Sequence, residues 1–129
     1  MAHELNIIQA TRRLAESLSI PIFIVDGGGT LLFYNQPAET ILGKEFGSTG
    51  EMPASVWARL FTPTDEDGNP MLPETLPLMI TLNERRPAMG RFWIEGLDNQ
   101  RRHIEVSAFP LTSRANLFLG AVAMFWDVP

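Results

Sequence analysis

The chain contains no cysteine. That removes disulfides, thiolate metal sites, thioether-linked haem and thiol nucleophiles together. Histidine is nearly absent too. His3 and His103 are the whole complement, and two histidines so widely separated do not form a recognisable metal set. Cations are outnumbered: ten Lys and Arg against fifteen Asp and Glu leave a formal net charge of -5. A broad electrostatic affinity for DNA or RNA is therefore not expected. The arginine pairs Arg12-Arg13, Arg85-Arg86 and Arg101-Arg102 are scattered and read as solvated faces. Long apolar runs are missing as well. No segment approaches the ~18 apolar residues of a membrane span, and the polar start MAHELNIIQATRR lacks the apolar run of a signal peptide. The chain is expected in the cytoplasm, with no nucleic-acid partner and no membrane contact by this segment.

What is present suits one small globular unit. A length of 129 residues fits a single core, and three Trp with eight Phe supply large side chains to fill it or to line a cavity. Residues 4–18 place Ile7, Thr11, Leu14 and Leu18 at spacings of four, three and four, with Ile8 and Ala15 widening the stripe. This is the pattern of an amphipathic helix. Its apolar side must be buried, either on the chain's own sheet or against a second copy. After Pro21, Ile22 to Val25 reads as a strand, Asp26-Gly27-Gly28-Gly29 as a turn and Thr30 to Tyr34 as the returning strand. The turn lacks the GxGxxG spacing and the Walker Lys-Ser/Thr pair, so it is not a phosphate loop.

Asn35 can cap a short helix over Pro37 to Leu42, stopped by Gly43. Residues 44–72 are irregular by pattern, with one helical turn around Ala54 to Leu60. The acidic stretch Asp65-Glu66-Asp67 lacks the alternation and distal Glu of a calcium loop and reads as an exposed turn. Leu76 to Asn83 is a helix. Met89 to Glu95, Arg102 to Pro110 and Leu117 to Trp126 are strands, the last apolar on both faces. In the middle one, Ile104, Val106 and Ala108 share a face opposite His103, Glu105 and Ser107. The class is α+β, with five strands in one antiparallel sheet.

Catalytic constellations are not apparent. Ser107 and His103 project from one strand face, but nothing forms a nucleophile elbow or supplies an orienting acid. Glu95 and Glu105 read as cross-strand surface charges. The expectation is a protein that is not an enzyme, with no metal site.

Three stretches then carry a resemblance. They are PIFIVDGGGTLLFYNQPAETILG, then DGNPMLPETLPLMITLNERRP, then RFWIEGLDNQRRHIEVSAFPL with LGAVAMFWDV. Their order and spacing resemble the PAS family over roughly Leu18 to Val128. The matching features are Asp26 closing a strand, Gly29, a second strand, Asn35, a small helix ending at Gly43, the helix after Pro73, and three strands ending at Asp127-Val128. The resemblance implies the PAS fold, a five-stranded antiparallel sheet with short helices on one face. It sets residues 1–19 apart as an N-terminal amphipathic helix, a dimerisation element or sheet cap, and residues 20–129 as the PAS domain. Family members usually continue after the Asp-Val pair with Thr or Ser and a signalling helix, whereas Pro129 follows here. A domain cut from a longer protein and a stand-alone chain both fit that.

The resemblance also implies a bacterial signal-transduction protein, and an output domain such as a histidine kinase or a cyclic-dinucleotide enzyme. It places a ligand cavity between sheet and helices. The pattern-apolar candidates for its wall are Phe33, Phe46, Trp57, Phe61, Leu76, Ile80, Ile104, Val106 and Phe125; Asn35 and Arg91 are polar residues near cavity or rim. The same side chains could pack a solid core. Among the family's cofactors, the adduct-forming flavin of light-oxygen-voltage sensors and the cysteine-linked chromophore of photoactive yellow protein-like sensors both require a cysteine. A His-ligated b-type haem needs a histidine on the cavity helix, and PETLPLMITLNE has none. Met79 on that helix is read as core rather than as an axial ligand. The cofactor is thus unassigned. An apolar small molecule or metabolite and a homodimer through Ile7, Thr11, Leu14 and Leu18 are the expected partners. A ligand-free protein-interaction and dimerisation module is the alternative.

Overall fold

The computed structural model describes residues 2–129, with side chains from residue 7 onward. Helix α1 (Ala2–Ser17) leads into β1 (Ile22–Asp26) and β2 (Leu31–Tyr34). Three short helices follow: α2 (Gln36–Leu42), α3 (Phe46–Thr49) and α4 (Ala54–Leu60). A 3-10 turn (Pro73–Thr75) precedes α5 (Pro77–Glu84), and β3 (Ala88–Glu95), β4 (Arg101–Thr112) and β5 (Phe118–Asp127) complete the chain. The strands form one antiparallel sheet in the order β2-β1-β5-β4-β3. This is the expected α+β fold. The stretch read as irregular holds one more helix, α3, whose four residues are too few for periodicity to register.

Strand alternation divides the apolar residues between two layers. Phe23, Val25, Ala121, Ala123, Phe125, Ile104 and Val106 face α2, α4 and α5 and form the main core. Ile22, Ile24 and Val122 face the other way and meet Ala15 of α1 and Leu18 just after it. β5 is apolar on both faces because both are covered. At Gly120 the covering is especially tight, since an added Cβ would collide with the Val25 carbonyl oxygen.

The β1–β2 turn is held by Asp26, whose Oδ1 accepts from the N–H groups of Gly28 at 3.0 Å and Thr30 at 2.9 Å. Of its glycines, Gly29 is the one at positive φ, at 88°. Asn35 does more than cap α2. Its Oδ1 accepts from the N–H of Ala38 (3.2 Å) and of Ile22 (2.9 Å). Its Nδ2 donates to the carbonyls of Ala15 and Ile20, both at 2.8 Å. The side chain is 1% exposed, and its four bonds tie the end of α1 and the start of β1 to α2.

Tyr34, the single tyrosine, is fully buried beside Phe23, and its hydroxyl donates to the Lys44 carbonyl at 2.9 Å while meeting Thr49 Oγ1 at 3.1 Å. Burial pushes its phenol above the ordinary value; the Thr49 bond pulls the other way and the charge on Glu39 adds to the rise.

Two outcomes follow from these buried polar groups. Asn35→Asp keeps the acceptors but turns a carboxylate toward the carbonyls of Ala15 and Ile20, and should cost about 3 kcal/mol in urea unfolding. A loss under about 1 kcal/mol would show that those carbonyls are satisfied otherwise. For Tyr34 the folded state holds the phenolic proton more tightly than the unfolded chain does. Its contribution is therefore complete below pH ~10 and is lost as pH rises through the higher folded value. The urea midpoint should fall at alkaline pH more steeply in the native chain than in Tyr34→Phe.

Candidate ligand cavity

Between the inner sheet face and the helices lies a cavity of about 90 Å³. Ile104 and Val106 of β4, Ala123 and Phe125 of β5, Phe92 and Ile94 of β3 and Phe23 of β1 form its sheet side. Trp57 and Ala58 of α4, followed by Phe61 and Pro63, close the opposite side. Leu76, Pro77 and Leu78 at the start of α5, with Leu42 ending α2, complete the wall. Pro77 can lie close because Gly90 faces it: a Cβ there would sit 3.2 Å from Pro77 Cγ.

Every one of these side chains is apolar, and the lone heteroatom among them is occupied. Trp57 Nε1 donates to the Gly29 carbonyl at 2.8 Å, which also fixes α4 against the β1–β2 turn. Water entering this space would find no free side-chain partner in its wall. Left empty it costs on the order of 2 kcal/mol, at roughly 24 cal/mol per Å³. The residues do not fit a flavin or a haem. Both carry polar edges that need partners, and sites for ligands of that size run to roughly 300 Å³ or more. Met79 packs against the main core but is not part of the wall.

Of the nine wall residues expected from the sequence, Trp57, Phe61, Leu76, Ile104, Val106 and Phe125 meet at this cavity. Phe33, Phe46 and Ile80 do not. Phe33 pairs with Ile24 and so shares its face, beneath α1, where the Arg12 guanidinium stacks on its ring at 4.4 Å. Phe46 sits at the β2 edge, touching Phe33 and Tyr34 with ring centroids 5.5 and 5.3 Å away. Ile80 follows Leu78 by two residues, some 200° round the helix, and Leu78 is the one that reaches the wall. The contributors that sequence reasoning missed include Phe23, Phe92 and Ile94, which the period-two alternation of β1 and β3 could have exposed.

Arg91 lies on the outer sheet face, paired with Glu105. His103 is on that face too, stacked on Trp93 at 4.5 Å with its Nε2 2.6 Å from Glu66 Oε1. Among the described residues no group of three or more His, Asp or Glu converges as a metal set. The acidic turn is exposed, and Asp65 Oδ1 is engaged by the N–H groups of Asp67 and Asn69.

On α1, Ala15 is the buried centre of the contact with the sheet. Ile7, Thr11 and Leu18 are half-buried and Leu14 is 60% exposed. The small Ala15 side chain lets the helix lie close to the sheet, which turns Leu14 away from it.

One residue beside the cavity has an uncommon backbone. Thr62, between Phe61 and Pro63, has φ 47°. A β-branched residue is strained in that left-handed region.

Comparison with known proteins agrees with this architecture. The model of the PAS domain family matches residues 10–77, more than half of the chain. No curated protein gives a significant match. Solved structures do. The PAS domain of Bordetella pertussis BvgS is similar with a TM-score of 0.68 at 16% identity, covering 96% of this chain and 88% of that one. The PAS domain of nitrogen regulation protein NR(II) from Vibrio parahaemolyticus gives 0.62 at 14%, covering 92% and 97%. The light-state dimer of the fungal blue-light photoreceptor Vivid gives 0.63 at 10%, covering 94% and 90%. The chain belongs to the PAS domain family, a fold of sensory and signalling proteins. The absence of cysteine excludes an adduct-forming flavin and a cysteine-linked chromophore. No helix among the described residues is long and apolar enough to cross a membrane.

Proposed function

We propose that this domain is the sensory and regulatory part of a bacterial signal-transduction protein, in which an apolar small molecule in the cavity biases a homodimer and, through it, an output domain. A histidine kinase or a cyclic-dinucleotide enzyme is the output that suits the family. The observation that carries the reading is the cavity itself: about 90 Å³ lined by apolar side chains, in a domain too small to leave core volume unfilled without cost. With no hydrogen-bonding side chain free in the wall, selection acts by size and apolarity. The ligand class is an uncharged molecule of a few heavy atoms, up to about the size of a six-membered ring. Such a ligand shifts an equilibrium only by binding one arrangement of the dimer better than another.

The second reading is a ligand-free interaction and dimerisation module. It is favoured by apolar exposure on the α1 side of the sheet. Leu14 on α1, Met89 on β3 and Trp126 on β5 are 60%, 68% and 37% exposed, and single chains gain from covering such groups together. The Vivid dimer shows that a chain of this fold can pair.

Benzene is the probe for the first reading. It should raise Tm saturably in the native chain, and Ala58→Leu, which fills the cavity from α4, should abolish that rise. A Tm unmoved by benzene, together with native mass spectra of a dimer at bare polypeptide mass, would favour the second reading. Dimerisation is tested apart. Leu14→Asp should convert dimer to monomer in sedimentation velocity with helix content unchanged. A sedimentation coefficient equal to that of the native chain would remove α1 from the contact.

A further inference from the structure

The segment from Phe61 to Asn69 crosses from the cavity to the opposite face of the sheet. It begins in the wall, with Phe61 and Pro63 on either side of the strained Thr62. It then runs along the free edge of β3 as an added strand. The Glu95 N–H donates to the Phe61 carbonyl at 2.8 Å, and Thr64 and Trp93 exchange both backbone bonds, at 2.9 and 2.8 Å. A tight turn closes it, with the Asp65 N–H donating to the Asn69 carbonyl at 2.8 Å. From that turn Glu66 reaches around the sheet edge and accepts from His103 Nε2 at 2.6 Å. The imidazole is held from both sides, since its ring also stacks on Trp93, the residue paired with Thr64. The backbone carbonyl of His103 in turn receives the Val128 N–H at 2.8 Å, the last backbone bond that joins the end of the chain to β4.

We infer that Phe61–Asn69 is a strap that transmits the state of the cavity to the C-terminal end of the domain, by tightening or loosening the Glu66 latch on His103. This rests on the reading of the cavity as a ligand site and adds the route out of it. The argument is mechanical. The wall has no free polar side chain, so an occupant can act only by displacing groups. On the sheet side of the wall β1, β4 and β5 are fixed by ladder bonds on both edges, and β3 by β4 on one edge and the strap itself on the other. Phe61 and Pro63 flank the one residue near the wall whose backbone relaxes by leaving its present conformation. Pressure there moves Thr64, and through it the turn that carries Glu66. Loosening the latch frees the imidazole and weakens the Val128 bond, where the chain leaves the sheet.

The test is amide hydrogen exchange by NMR on the ¹⁵N-labelled full chain, with benzene as the probe. Benzene should shift the resonances of Ile104 and Val106 saturably. It should also speed exchange at Thr64, Asn69 and Val128 several-fold, with Ile24 in β1 unaffected. Saturable shifts at Ile104 and Val106 with unchanged exchange at Thr64 and Val128 would overturn the strap and leave the cavity reading standing. No saturable shift at Ile104 or Val106 would overturn the cavity reading, and the strap with it. A second arm needs no ligand. Glu66→Ala, at an exposed position, should speed Val128 exchange about ten-fold, while Glu66→Gln, which keeps an acceptor oxygen, should stay near the native rate. Native-like Val128 exchange in Glu66→Ala would show that the latch does not hold the chain end, and would overturn the proposal.

Discussion

Four hydrogen bonds to one buried amide join the N-terminal helix to the rest of the molecule. Asn35 has two acceptor positions and two donors, and all four are used inside the protein. No other residue type of that size offers both. Aspartate cannot donate, and leucine would leave the carbonyls of Ala15 and Ile20 facing an apolar group. Two of these partners, Ala15 and Ile20, lie on either side of the Ser17 end of α1, a third opens β1, and the fourth starts α2. The helix therefore cannot leave the sheet without exposing polar groups on three elements at once. Its own apolar contact is modest, centred on the single methyl of Ala15. The amide supplies the specificity that so small a contact cannot.

The sheet is shared between two layers, and β5 belongs fully to both. Ala123 and Phe125 line the cavity on one face while Val122 and Met124 lie toward α1 on the other. Small residues make that sharing possible. Gly120 admits the β1 backbone, and the alanines at 121 and 123 keep the inner side of the strand low, so that large rings from β1, β3 and α4 can meet above it. A packing change on one face is felt on the other because the same peptide groups carry both rows. α1 is therefore not mechanically independent of the cavity.

Much of this was legible in the chain. Alternation in β4 gave Ile104, Val106 and Ala108 their common face, and the doubly apolar β5 announced a sheet covered on both sides. Asn35, Pro37 and Gly43 marked the bounds of α2 through known cap chemistry. What failed was facing, not identity. Phe33 is as apolar as Phe23, and only the strand register puts one beneath α1 and the other in the cavity. Leu14 fits the helical stripe as well as Ala15 does, yet the smaller residue wins the centre because the helix can then approach closer. Glu66 was hidden for a different reason. It lies thirty-seven positions from His103, and an acidic turn has no local feature that says which strand it will reach around.

A cavity without polar side chains restricts how a signal can leave it. Hydrogen-bond rearrangement, the common device where a ligand carries donors and acceptors, has no starting point here, because the single polar wall atom is already bound to Gly29. Only displacement remains, and displacement goes where resistance is least. Ile104, Val106, Ala123 and Phe125 sit on strands bonded along both sides. Trp57 is anchored through its indole N–H. Leu76 to Leu78 begin a helix that packs along β3, β4 and β5. Phe61 and Pro63 alone border a residue held at positive φ against its own side chain, on a segment tied to β3 by three backbone bonds and to β4 by the Glu66–His103 pair. If the strap carries the signal, an occupant pressing on Phe61 and Pro63 favours the loosened arrangement and an empty cavity the latched one.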